Sequence, residues 1–194
     1  MRRTSGPRPN RAQPRWRVGV LDSDSRLRVE VTRLIEAGGG MVVVDAPLRA
    51  DSVDLLRRME PDAVVLGADD VMNQRGAVPR PHALDLPAAV VLLASAVRAR
   101  TLRPAQAPGV MGVLLRPLRP EEVGPTLDIA VARFRELRRL RRALADRPVV
   151  EQAKARLMTR DGLSEPAAFG WLRRRAMERR VRIGDVARSV LESA

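Results

Sequence analysis

Residues 17–66 read RVGVLDSDSRLRVEVTRLIEAGGGMVVVDAPLRADSVDLLRRMEPDAVVL. Two patterns alternate along this stretch. Arg17–Leu21 (RVGVL), Met41–Asp45 (MVVVD) and Ala63–Leu66 (AVVL) are short valine-rich runs. Between them, Leu27, Val31, Leu34 and Ile35, then Val53, Leu56 and Met59, recur at helical spacing. A run with no polar face must be covered on both sides, which is the state of a strand in a parallel sheet. Gly38-Gly39-Gly40 stops the first helix. Further along, Ala88–Leu93 (AAVVLL) and Gly112–Leu115 (GVLL) supply a fourth and a fifth strand. The expected class is α/β, a flavodoxin-like doubly wound parallel five-stranded sheet. Gly67–Leu86 fits least well, because Gly76, Pro79 and Pro81 leave the third helix short or absent. Pro104 and Pro108 likewise crowd the fourth.

Upstream, residues 1–15 (MRRTSGPRPNRAQPR) hold little apolar surface and read as a disordered basic tail. Downstream, a long helix starts at Glu121. Leu127, Ala130, Phe134, Leu137, Leu140 and Leu144 form a narrow stripe among Arg133, Arg135, Glu136, Arg138 and Arg139. Such a stripe predicts a coiled coil and hence a parallel homodimer; the simpler alternative is packing on its own domain. Arg147-Pro148 marks a break, with Pro148 as the first residue of a new helix. Three short helices follow. Val149, Val150, Ala153, Leu157 and Met158 form the apolar face of the first, which ends at Asp161-Gly162. Ser164 caps the second, whose face is Ala168, Phe169, Leu172 and Ala176. Ile183, Val186, Ala187, Val190 and Leu191 form the third. The layout expected is a tail (1–15), the sheet domain (16–120), a coiled-coil linker (121–146) and a helical module (147–194).

Composition narrows the chemistry. The chain has 194 residues and 45% are hydrophobic, so a core is available, but aromatics are 2% and that core must be aliphatic. No cysteine is present, which removes thiolate catalysis and cysteine-ligated metal. The lone His82 lies between prolines, so a histidine-based zinc site or triad is not expected. No apolar run is long enough to span a bilayer, and the basic N-terminus lacks the apolar segment of a secretion signal, so a cytoplasmic protein is expected. The net charge of +13 is uneven. Residues 1–17 carry six arginines and no acid, residues 18–126 are close to neutral, and 127–194 are basic throughout. Basic segments flanking a neutral domain favour a polyanionic partner for the ends.

Residues 148–194 resemble an ANTAR domain, the RNA-binding module of bacterial transcription antitermination regulators. The matching residues are Glu151-Gln152-Ala153-Lys154, Leu157-Met158, Arg160, Gly162-Leu163, Ala168-Phe169, Leu172-Arg173, Ala176-Met177, Ile183 and Val186-Ala187. Ala155 departs from the glycine frequent in the family. Residues 17–126 resemble a response-regulator receiver domain, through Asp22 and Asp24 after strand one, Pro61-Asp62 before strand three and Arg116-Pro117 after strand five. The resemblance implies a degenerate receiver site. The phospho-acceptor carboxylate would end strand three, where Gly67 stands. The expected hydroxyl falls at Ala94, beside Ser95, and the expected lysine is Arg116. Asp69 and Asp70 lie past Gly67 at the wrong spacing to substitute. Asp22 and Asp24 are read first as caps of the following helix. Without an acceptor they make a poor Mg²⁺ site, and no cofactor is expected.

The resemblance implies an RNA surface on the helical module, drawn from Gln152, Lys154, Arg156, Arg160, Arg173, Arg174 and Arg182. Charge alone gives equal weight to a merely solvated arginine face. Trp171 lies off the apolar face and could stack on a base. The implied function is a non-enzymatic, dimeric antitermination regulator that binds tandem stem-loops in nascent RNA and keeps a terminator hairpin from forming. The alternative is a signalling adaptor whose receiver-like domain takes a protein or small-ligand input, with the basic helices used for assembly.

Overall fold

The computed structural model describes residues 13–73, 86, 88–94 and 109–193. The chain divides into two compact units, Met1–Arg135 and Glu136–Ala194. In the first, β1 (Arg17–Leu21), α1 (Ser25–Ala37), β2 (Met41–Ala46), α2 (Ala50–Met59), β3 (Ala63–Gly67), α3 (Ala68–Asn73), β4 (Ala89–Ala94) and β5 (Val110–Leu115) follow in order. The strands are all parallel, in the order β2-β1-β3-β4-β5. This is the doubly wound sheet predicted, with each strand within two residues of its expected span. The third helix is six residues long, and the proline-rich stretch after it, with His82, lies outside the described residues, as do Ser95 and the fourth helix.

Alternation along the strands explains the two cores. Val18, Val20, Ala63, Val65, Val91 and Leu93 face one side and pack with Leu27, Val31 and Ile35 of α1. Leu21, Val64, Leu66, Val90 and Leu92 face the other and pack with Val53 and Leu56 of α2. β3 and β4 are buried along their whole length, as central strands of a covered parallel sheet should be.

After β5 a single helix, α4, runs Pro120–Asp161, and the boundary between the units falls inside it. Three expectations change here. The first half of the apolar stripe is not a seam: Leu127 and Ala130, with Val123 and Val131, complete the first core of the sheet unit, and Phe134 packs against it. Of the residues in that stripe, Leu140 and Leu144 are the exposed ones, at 50% and 61%. Second, Arg147-Pro148 is not a break. Proline removes one backbone donor, whose helical acceptor would be the carbonyl of Leu144. Leu144, Arg147 and Pro148 are all exposed, so water can satisfy that carbonyl and the helix continues. Third, the end of the basic tail is ordered. The Arg15 amide donates to the Gly39 carbonyl (2.9 Å), and its guanidinium pairs with Asp128 while lying 4.4 Å above the Trp16 ring. Trp16 is itself buried and donates to Asp128 (2.9 Å). The first twelve residues lie outside the described residues.

The second unit contains the rest of α4, then α5 (Glu165–Arg179) and α6 (Ile183–Glu192). Gly162, at φ +66, ends α4 in the left-handed conformation that glycine adopts without strain. Ser164 caps α5 as predicted, its hydroxyl accepting from the Ala167 amide. Val150, Ala153, Leu157, Ala168, Leu172, Ala176, Val186, Ala187 and Val190 form the core. Two residues assigned to that core are instead exposed, Met158 at 39% and Phe169 at 44%. With alanine at four of its nine positions the core is narrow, and the larger side chains lie at its margin.

Candidate functional site

Two charged constellations were anticipated, one at the C-terminal end of the sheet and one on the helical unit. In the first, Gly67 ends β3 beside Leu93 of β4, as expected of the acceptor position. The space above it is filled. A Cβ built on Gly67 would overlap the carboxylate of Asp22, which is almost fully buried. Burial is the main cause that raises the Asp22 pKa above the ordinary carboxylate value; the Asp24 amide, which donates to it at 2.8 Å, acts in the opposite direction. Asp24 caps α1, accepting from the Arg26 and Leu27 amides at 2.9 and 3.3 Å. Capping therefore describes Asp24 but not Asp22.

The remaining charges at this end are engaged with one another. Asp70 accepts from the Ser23 amide (2.5 Å) and the Ser23 hydroxyl (2.6 Å). Arg116 donates to Asp69 at 3.2 Å, and its own amide donates to the carbonyl of Ala94 (2.9 Å). Ala94 is buried and offers only a methyl where a hydroxyl was sought. The carboxylates do not converge. Asp22 faces Gly67, Asp24 faces the start of α1, Asp69 faces Arg116 and Asp70 faces Ser23. A divalent cation needs several oxygens aimed at one point, and no group of three acidic or histidine side chains among the described residues supplies that.

On the helical unit the seven predicted residues separate into two groups. Lys154 is buried between Glu151 (2.8 Å) and Glu165 (2.7 Å), tying α4 to α5. Its hydrogen bond to Glu151, then that to Glu165, raises its pKa, and Lys154 in turn lowers that of Glu165. Arg156 donates to the carbonyls of Leu191 (2.9 Å) and Ser193 (2.6 Å), closing the C-terminal end of α6. Arg182 pairs with Asp146. By contrast, Gln152, Arg173 and Arg174 are exposed, and the two arginines form no ion pair among the described residues. Arg160 is exposed and oriented by a two-point contact with Asp161, both distances 2.8 Å.

Asp146 and Gly184 were not singled out from sequence. Asp146 is buried and receives Arg182 and, at 3.1 Å, Arg188. Arg188 is also bound to Asp185 at 2.5 Å. Gly184 lies directly against the Asp146 carboxylate, so a side chain there would collide with it. A glycine in the first turn of an otherwise strongly amphipathic helix was the available signal, but its partner is 38 positions away.

A doubly wound parallel sheet of this order, joined by a long helix to an arginine-bearing helical unit, has the receiver type of fold in its first unit. The family model for the ANTAR domain matches residues 138–191. The chain is 30% identical over 191 residues to the transcriptional regulatory protein PdtaR of Mycobacterium tuberculosis (strains CDC 1551 / Oshkosh and H37Rv), spanning 94% of this chain and 92% of that protein. The signal receiver domain of the putative response regulator NarL from M. tuberculosis superposes with a TM-score of 0.50 at 22% identity, covering 60% of this chain and 96% of that one. A LuxR-family DNA-binding response regulator from Staphylococcus aureus gives 0.50 at 17% identity, covering 60% and 98%. The chain belongs to the ANTAR-domain response regulators. Among the described residues, no helix is long and apolar enough to cross a membrane.

Proposed function

We propose that this protein is an RNA-binding transcription antitermination regulator whose receiver domain works without aspartyl phosphorylation. The observation that carries the RNA reading is the division among the basic side chains. Lys154, Arg156 and Arg182 hold the helical unit together. Arg173 and Arg174 on α5 are exposed and form no ion pair among the described residues. Unpaired guanidinium groups on a rigid helix suit phosphates and exposed loop bases. Exposed Leu140 and Leu144 provide a seam through which two copies pair, so that one dimer holds two stem-loops and the second binds at high effective concentration. Bound in this way, the RNA does not form a terminator hairpin. The input to the sheet unit is then a protein or small ligand and not a phosphoryl group, because Asp22 occupies the place of an acceptor side chain.

Binding of the full chain to a tandem-hairpin RNA, titrated across salt, tests this. Arg173→Ala with Arg174→Ala should weaken binding and reduce the salt slope by roughly one to two. Equal affinity for RNA with scrambled loops would remove sequence-specific recognition. Acetyl-phosphate treatment followed by phosphate-affinity electrophoresis should give no shifted band; a stable acyl phosphate would refute the closed-corner reading.

A further inference from the structure

We propose that the cleft between the end of α4, α5 and α6 receives a single unpaired nucleobase, stacked on Trp171. This deepens the RNA reading above and rests on it. The cleft has a volume of about 170 Å³ and is lined by Arg160, Trp171, Arg175, Arg179, Ser189 and Ser193, with the core valines Val186 and Val190 beside them. That space accommodates one planar ring system and not a helical stem. Trp171 is half-buried and packs against the core of the helical unit, so its ring is held in place before any ligand arrives. A preorganised aromatic face on an arginine-rich surface is what single-stranded nucleic acid binds.

The polar groups around the ring are also sorted. Arg160 is fixed by Asp161, and Arg175 reaches Glu178 at 3.3 Å. Arg179 forms no ion pair among the described residues and supplies an uncommitted positive charge at the rim. The Ser189 hydroxyl gives its proton to the Val186 carbonyl (2.8 Å), and the Ser193 hydroxyl gives its own to the Ser189 carbonyl (2.6 Å). Both oxygens therefore offer only lone pairs to a ligand. The cleft thus combines guanidinium donors for a phosphate with hydroxyl acceptors for an exocyclic amine. Adenine, cytosine and guanine carry such an amine, whereas uracil offers only its ring N3–H between two carbonyl oxygens that the hydroxyl lone pairs repel, so the cleft selects against uracil.

The test uses the full chain and a two-hairpin RNA selected from a pool with randomised loops, with affinity read by fluorescence anisotropy. Each loop nucleotide is replaced in turn by an abasic residue. One position should lose roughly 5- to 150-fold, the range for losing a base stacked on an aromatic ring. Trp171→Ala should lose a similar factor, with little further loss when paired with that abasic RNA, and Trp171→Phe should recover most of it. Uracil at that position should bind more weakly than the other three bases. If Trp171→Ala keeps its circular dichroism and melting temperature and binds as wild type, the cleft assignment is overturned. It is also overturned if the two losses multiply. If Trp171→Ala does not fold, Trp171→Leu, which keeps bulk but not the aromatic face, decides together with Arg179→Ala: unchanged affinity in both overturns the assignment. A wild-type chain that enriches no RNA from the pool overturns the RNA reading and the cleft together, whereas enrichment without coupling to Trp171 overturns the cleft alone.

Discussion

The two units each press a carboxylate against a glycine, and they do so to opposite ends. In the sheet unit Asp22 lies on Gly67, with no ion pair among the described residues and one backbone amide donating to it. In the helical unit Asp146 lies on Gly184, where Arg182 and Arg188 converge on it. The first arrangement fills the space above the end of β3. The second pins the start of α6 to α4. A glycine facing a buried carboxylate is therefore not itself a functional sign. Its meaning depends on whether cations compensate the charge and on what the missing side chain would have done.

Substitution at Gly184 is the strongest way to break this parallel. In Gly184→Ala two effects oppose each other. Alanine favours the helix by about 1 kcal/mol over glycine, but its Cβ enters the space of a carboxylate that two arginines hold in place. Overpacking of this kind costs about 1–3 kcal/mol. The expected result is net destabilisation in denaturant unfolding, largely relieved in the double variant with Asp146→Ala, which vacates the space. A Gly184→Ala chain more stable than wild type would show that the contact is slack.

The counterpart test in the sheet unit is at Gly67. Gly67→Asp places two carboxylates in one site, where repulsion adds to overlap. The variant should lower the melting temperature of the sheet unit and still take no phosphoryl group from acetyl phosphate. Combining it with Asp22→Ala should restore part of the stability. Phosphorylation of the single variant would mean that Asp22 swings aside easily.

The smallest effect is in pH dependence, and it has opposite signs in the two units. Burial raises the Asp22 pKa, so the folded state holds its proton more tightly than the unfolded state does. Its contribution is present below the ordinary carboxylate value of 3.8 and is lost as pH rises through the folded value. Asp22→Asn should remove that loss, leaving the sheet unit equally stable or slightly more so at neutral pH. Glu165 and Asp185 are held below their ordinary values, chiefly by hydrogen bonds from Lys154 and Arg188. Their contributions are present above those values and are lost as pH falls through the folded ones. Hydrogen exchange on acidification should show protection falling first in residues 165–192. Simultaneous loss in both units would indicate that these groups do not govern either.

Much of the fold was legible because its signals are local. The strands of 17–66 announce themselves by valine runs that no amphipathic helix would carry, and Gly38-Gly39-Gly40, Gly162 and Ser164 mark ends through backbone preference and capping. The glycine at the acceptor position was equally legible, because it is a matter of which residue ends β3. The stripe from Leu127 to Leu144 was legible as apolar but not as to its partner. Spacing on a helix identifies a face, and only the three-dimensional arrangement showed that Leu127 and Ala130 cover the sheet while Leu140 and Leu144 face solvent.

By itself the sequence determined the order of the elements, the parallel sheet, the glycine that ends β3 and the basic character of the C-terminal helices. Each of these follows from composition and spacing over a few turns or strands. The tertiary structure alone decided which charges are spent inside the molecule. Asp22 meets Gly67 across 45 positions, Lys154 meets Glu165 across 11, and Asp146 meets Arg188 across 42. Such pairings depend on how helices and strands pack, because a charge is neutralised by whatever lies within a few ångströms and not by its neighbours along the chain. That packing left Arg173, Arg174 and Arg179 without an ion pair among the described residues and set Trp171 beside a small cleft, which is where the chemistry of recognition is now to be sought.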